Sequence, residues 1–283
     1  MKPTLQRFTS DDVTIAADRR GDPNDPPVLF LHGGGQTRHS WGRAAEVVAD
    51  HGWCTYTLDA RGHGESEWSP EGRYALRHFA NDLVTVADAI GGDPVVVGAS
   101  LGGLTGLLAM GRERPGLGRG LVLVDIVPEM EQLGTDRIGD FMAAHVESGF
   151  GSLEEAAEAV AAYNPRPGRT VDPDGLRKNL RQREGRWYWH WDPRFMAQLG
   201  RSNEGSELFD TELLTQCARS ISKPKLLVRG RMSDVVTAEA AARFVEAVPG
   251  IGYVDVADAA HMVAGDKNDV FRSAVLDFLA ELG

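Results

Sequence analysis

Six short apolar runs, Val28 to Leu31, Cys54 to Leu58, Val95 to Val97, Leu121 to Val124, Leu226 to Val228 and Tyr253 to Val256, alternate with longer stretches of helical spacing. An uninterrupted apolar run of strand length has no polar face to offer water, so it has to be covered on both sides. The intervening stretches, Trp41 to Asp50, Leu76 to Ile90, Leu101 to Arg112, Ala238 to Ala247 and Val270 to Leu282, repeat apolar residues three and four apart. That alternation predicts an α/β fold with a mostly parallel central sheet flanked by helices. Leu5 to Phe8 and Val13 to Ala17, either side of Ser10-Asp11-Asp12, read as an antiparallel hairpin at its edge.

The rhythm stops between Pro128 and Ser220, where amphipathic pieces such as Leu153 to Tyr163 and Leu208 to Ala218 are joined by turns rich in Pro, Gly and Arg. The expected organisation is a core built from residues 1–127 and 221–283, with a helical cap inserted over 128–220. Half of the chain's 6 tryptophans fall in Trp187-Tyr188-Trp189-His190-Trp191. With 283 residues, 42% of them hydrophobic, the chain can bury about three quarters of its unfolded surface.

A net charge of −11 repels nucleic-acid phosphates and anionic membrane surfaces, which leaves a small molecule as the expected partner. It leaves self-association into a homo-oligomer open. Cys54 and Cys217 lack metal-ligand spacing and read as buried thiols in a reducing compartment. The first residues carry no apolar signal core, and no stretch reaches the ~20 apolar residues needed to cross a bilayer, so a cytoplasmic location is expected.

The candidate chemistry sits where Val95 to Val97 runs into Gly98-Ala99-Ser100-Leu101-Gly102. Small residues on both sides of a serine, between a strand and a helix, suit a strained turn that projects the hydroxyl. A serine hydroxyl needs a base, and the base needs a carboxylate to hold its tautomer. Reactive side chains in such sheets lie past the carboxyl ends of strands. His261 follows the last strand run, and Asp234 follows Leu226 to Val228 through Gly230-Arg231-Met232-Ser233; Asp125, at the end of Leu121 to Val124, is the competing acid. His32-Gly33-Gly34-Gly35-Gln36 follows the first buried strand, and the amides of Gly34 and Leu101 are the candidate oxyanion donors.

Taken in order, the His-Gly segment with Trp41 downstream, Asp59-Ala60-Arg61-Gly62-His63-Gly64-Glu65-Ser66, the serine turn, Gly230 to Asp234 and the terminal histidine resemble the α/β-hydrolase superfamily. The resemblance spans nearly the whole chain outside the cap. Within it, the sequence is similar to cofactor-free haloperoxidases or perhydrolases, small-ester hydrolases and lactonases, and carbon–carbon bond hydrolases. It departs at Ala260, where glycine is usual, and at Gly34-Gly35, which replaces a bulkier pair and is expected to widen the acyl pocket. Relatives that open epoxides or displace halide use aspartate at the turn, and Ser100 excludes their mechanism because an alkyl–serine ether offers water no carbonyl.

The resemblance implies a serine hydrolase for a small ester or lactone, with Ser100 as nucleophile, His261 as base, Asp234 as acid, and no cofactor or metal. Perhydrolysis and cleavage of a keto acid are the enzymatic alternatives, and a ligand-binding receptor on the same scaffold is the non-enzymatic one. His32, Asp59, Arg61 and His63 read as supports beneath the site. Trp187, Trp189 and Trp191 read either as pocket lining or as anchors of the cap. Arg181, Arg183 and Arg186 read as a solvated face, or as a clamp for a carboxylate-bearing substrate.

Overall fold

The computed structural model describes residues 2–163, 171–199, 210–257 and 269–282. Its centre is the run of buried strands that the sequence marks: β3 (Pro27–Leu31), β4 (Cys54–Leu58), β5 (Val95–Ala99), β6 (Gly120–Val124) and β9 (Lys225–Gly230), of which only Ala99 at the end of β5 is partly exposed. With β1 (Thr4–Ser10), β2 (Val13–Arg20) and β10 (Ile251–Val256) they form an eight-stranded sheet in the order β1-β2-β4-β3-β5-β6-β9-β10. The β1–β2 and β2–β4 pairs are antiparallel and the rest parallel.

Side-chain alternation divides each inner strand between two cores. Val28 and Phe30 of β3 pack with α1 (Gly42–Ala49) and α9 (Asp269–Ala280) on one face. Leu29 and Leu31 pack on the other with α2 (Leu76–Ile90), α3 (Leu101–Leu108) and α8 (Ala238–Ala247). The α3 helix continues as a π turn through Ala109–Glu113. Cys54 and Cys217 are buried free thiols, and burial pushes both pKa values up.

The order places β4 on one side of β3 and β5 on the other, so the chain leaves the carboxyl ends of β3 and β5 in opposite directions. The crevice that opens there is where doubly wound sheets bind ligands. Both the His32–Gln36 loop and the Ser100 turn emerge at this point.

Between β6 and β9 the chain forms α4 (Gln132–Ala143), α5 (Leu153–Tyr163), a hairpin of β7 (Leu180–Arg183) with β8 (Arg186–Trp189), α6 (Pro193–Leu199) and α7 (Thr211–Ser220). The hairpin is an addition to the helical pieces expected there. It carries Trp187 and Trp189 on β8, and Phe150 extends it by an antiparallel bridge to Trp187. The Asp210 carboxylate caps α7 by accepting from the Leu213 amide at 2.9 Å.

Candidate active site

Ser100 has φ +48° and ψ −119°, a conformation that costs a non-glycine residue about 1–3 kcal/mol and persists only where its surroundings enforce it. Two glycines do so. A Cβ on Gly98 would stand 2.4 Å from the Gly102 carbonyl group, and one on Gly102 would stand 2.4 Å from the Leu31 carbonyl oxygen. Close backbone contact therefore fixes the turn between β5 and α3. The first amides to donate back to the Ser100 carbonyl are those of Gly103 (2.9 Å) and Leu104 (3.1 Å), so the Leu101 amide precedes the intrahelical ladder. It lies at the electropositive end of α3, beside the serine.

The loop after β3 lies against this turn, since a Cβ on Gly33 would come within 3.3 Å of the Ser100 Cβ. Its amides are not equivalent. Gly33 donates to the Gln36 side chain (Oε1, 3.3 Å) and Gly35 to His63 (Nε2, 3.1 Å). Among the described residues, the Gly34 amide has no internal acceptor.

Three buried histidines hold the loop from below. His32 Nε2 accepts from the Ala60 amide (3.0 Å), so Nδ1–H donates to the Gly33 carbonyl (2.7 Å). His63 accepts from Gly35, so its Nδ1–H donates to the Arg61 carbonyl (3.0 Å). His190 Nδ1 accepts from the Gly64 amide (2.7 Å), and its Nε2–H donates to the Gly35 carbonyl (3.3 Å). Each ring needs one bare nitrogen for this pattern and is therefore neutral. Burial, reinforced by His32, pushes the His63 pKa down to about 3. Burial first and the neighbouring His63 second take His190 well below the ordinary imidazole value, and burial lowers His32 as well.

Asp59 anchors the neighbouring turn by accepting from the Arg38 amide (2.7 Å), the Glu65 amide (2.9 Å) and the Arg38 guanidinium. Arg61 forms a buried two-pronged pair with Asp82 at 2.6 and 2.7 Å. The turn therefore braces the loop and brings no reactive group to Ser100.

The stretch from His190 to Phe195 seats the segment between β6 and β9 on this floor. The Asp192 amide donates to the Gly62 carbonyl (2.9 Å), and its carboxylate accepts from Tyr74 (2.6 Å) and Arg194 (2.6 Å). Burial works to raise Asp192, and its hydrogen bonds from Arg194 and Tyr74 together with the Arg194 charge outweigh it, leaving the pKa lowered. Arg194 also donates to the Ser69 and Pro70 carbonyls (2.8 and 3.0 Å), while Phe195 packs edge-on to His63, ring centres 4.8 Å apart. Sequence reasoning gave no role to His190, Asp192 and Arg194; the signal was their place within or just after the tryptophan run.

Trp189 is buried, donates to the Ala144 carbonyl (3.0 Å) and stacks on Trp191 at 4.8 Å. Trp187 lies under the Arg177 guanidinium. Trp191 reaches the loop, 3.4 Å from where a Gly35 Cβ would be, alongside Met142 at 2.9 Å. Phe195 occupies the corresponding space above Gly34 at 3.6 Å. The room that Gly34-Gly35 leaves is thus taken by Met142, Trp191 and Phe195, and the expected widening of a pocket does not follow from these two glycines.

Arg181 donates to the Gly64 carbonyl and lies over Trp68, Arg183 lies over Tyr188, and Arg186 donates to the Ser148 and Gly149 carbonyls. Arg183 and Arg186 are exposed, as on a solvated face, whereas Arg181 is half-buried.

The two candidate acids differ sharply. The Asp234 side chain is 40% exposed and pairs with Arg137 of α4 at 2.8 Å. Asp125 is 1% exposed, has φ +50°, and its two oxygens accept from the Gly230 amide (2.9 Å) and the Ser233 hydroxyl (2.7 Å). His261 lies outside the described residues.

A sheet of this order, with a strained serine after β5 and a glycine loop after β3, defines an α/β hydrolase. The model of the α/β-hydrolase fold family matches residues 26–267, and the chain belongs to that family. An esterase of Mycobacterium tuberculosis is 30% identical over 241 residues, covering 83% of this chain and 75% of that protein. The 2-(acetamidomethylene)succinate hydrolase of Mesorhizobium japonicum is 27% identical over 268 residues, covering 94% and 92%. A crystal structure of E-2-(acetamidomethylene)succinate hydrolase superposes with a TM-score of 0.83 at 25% identity, covering 98% of this chain and 99% of that one. The chain is thus a hydrolase with esterase-like relatives.

Proposed function

We propose that this hydrolase cleaves a small carboxylic ester or lactone through an acyl-enzyme on Ser100. The observation that carries the reading is the strained Ser100 turn lying against a loop whose Gly34 amide has no acceptor among the described residues. In the first step His261 takes the hydroxyl proton as Ser100 Oγ adds to the carbonyl carbon. The amides of Gly34 and Leu101 receive the developing oxyanion, each typically worth about 3 kcal/mol in the transition state. Collapse expels the alcohol with the proton from His261, and water repeats the sequence to release the acid. No cofactor enters either step.

For the acid, burial favours Asp125 over Asp234. A carboxylate that orients an imidazole works best shielded from water, and Asp125 is buried at the carboxyl end of β6, accepting from the Gly230 amide and the Ser233 hydroxyl. Asp234 instead spends a half-exposed carboxylate on Arg137. The expected pattern with nitrophenyl butyrate is loss of turnover by about 10³-fold or more in Ser100→Ala and by about 10²–10⁴-fold in Asp125→Asn, with Asp234→Asn close to wild type. A collapse in Asp234→Asn with Asp125→Asn active would return the role to Asp234, and full turnover in Ser100→Ala would end the hydrolytic reading.

A further inference from the structure

We propose that His190, supplied by the segment between β6 and β9, is a positioning residue for the oxyanion loop, its ring steadying the Gly35 carbonyl and through it the Gly34 amide. The inference rests on the acyl-enzyme reading above. The Gly35 residue is gripped on both sides: its amide donates to His63 Nε2, and its carbonyl accepts from His190 Nε2–H. His63 and Gly35 both belong to the core and can meet without that segment, but the grip on the carbonyl comes from 155 residues away. The same ring takes the Gly64 amide on Nδ1, so it bridges the oxyanion loop to the turn that holds His63.

The Gly34 N–H shares its peptide plane with the Gly33 carbonyl, which accepts from His32 (2.7 Å) and from the Gln36 amide (3.1 Å), and the Gln36 N–H in turn shares its plane with the Gly35 carbonyl that His190 holds. Gly35 has φ +74°, a setting that a glycine leaves easily unless it is held. Met142 and Trp191 press on Gly35 from the same segment. With His190 absent, the Gly35–Gln36 peptide is free to rotate, the Gln36 donor to the Gly33 carbonyl is lost, and His32 alone is left to hold the peptide that carries the Gly34 N–H. Catalysis then suffers in the transition state more than in substrate binding, because the oxyanion forms only there.

The test uses the full-length enzyme with His190→Ala, His190→Asn, His190→Gln and Arg194→Ala. Read-outs are kcat and KM on nitrophenyl butyrate, the inhibition constant of a butyl boronic acid that mimics the oxyanion adduct, and thermal midpoint. Glutamine can place a donor where Nε2 stands, whereas asparagine replaces only the Nδ1 acceptor. The proposal expects kcat to fall 10- to 100-fold in His190→Ala and His190→Asn with KM within about threefold. Boronate affinity should weaken in proportion, with recovery in His190→Gln. Arg194→Ala, which loosens the same segment at Ser69 and Pro70, should lower the thermal midpoint without weakening the boronate.

Equal boronate affinity in all four variants and wild type would overturn the role of His190 while leaving Ser100 chemistry intact. Weakening that tracks thermal midpoint across all four, Arg194→Ala included, would reduce His190 to a structural anchor and also overturn it. A wild-type enzyme that binds no boronate and hydrolyses no ester would instead bring down the acyl-enzyme reading, and this proposal with it.

Discussion

Lowering the pH from 7 to 5 should destabilise this protein before any ordinary carboxylate titrates, and His63 sets the magnitude. The ring is fully buried and its pKa is pushed down to about 3, by burial and then by His32, from 6.5 in an unfolded chain. Between those values the unfolded state binds a proton that the folded state refuses. The unfolded form therefore gains as pH falls through this window. At pH 5 the unfolded ring is one and a half units below its own pKa, which at about 1.4 kcal/mol per unit costs the folded state about 2 kcal/mol. His32, His39, His78 and His190 are lowered too and add in the same direction. Asp82, raised by burial, works the other way, so the diagnostic is a difference between two proteins. His63→Gln keeps an acceptor for the Gly35 amide and cannot titrate. Urea unfolding at both pH values should show wild type losing about 2 kcal/mol more than His63→Gln. Equal losses would refute the claim that His63 is held neutral by its burial.

Gly35→Ala should destabilise by about 1–3 kcal/mol, because φ is +74° and the new methyl would stand 2.9 Å from Met142 Cε; the cost in a Met142→Ala background should be smaller by urea unfolding. Arg137→Ala should change stability by less than about 1 kcal/mol, since both partners of the Arg137–Asp234 pair are largely exposed; a larger loss in a melting experiment would mean that this pair fastens the segment between β6 and β9. Asp192→Asn should cost more than Arg137→Ala by the same measurement, because it weakens a buried carboxylate that serves both Tyr74 and Arg194.

The core was legible because its signal is local. The uninterrupted apolar runs at Val28, Cys54, Val95 and Leu121 have to become doubly covered strands, and the structure starts and ends them within two residues of their apolar limits. Leu76–Ile90 and Ala238–Ala247 form the helices that their spacing describes. The serine turn was readable for the same reason, since Gly98 and Gly102 are demanded by backbone contacts within a few residues or on the next strand. The β7–β8 hairpin was not, because Arg181, Arg183 and Arg186 interrupt any apolar alternation, and their partners are carbonyls and rings rather than a core. His190 and Asp192 were invisible as docking residues for a related reason: they meet backbone groups more than a hundred residues away, which leave no trace in composition or period. The choice between Asp125 and Asp234 depends on burial, and both follow a strand in the sequence, Asp125 directly and Asp234 four residues on.

The most direct measurement is mass spectrometry of the enzyme after reaction with a fluorophosphonate and, separately, after rapid quenching during nitrophenyl butyrate turnover. The account predicts a single phosphonyl adduct and a transient butyryl adduct, both mapped to the peptide containing Ser100 and both absent from Ser100→Ala. Turnover that proceeds with no adduct on Ser100, or with the adduct on another residue, would contradict it.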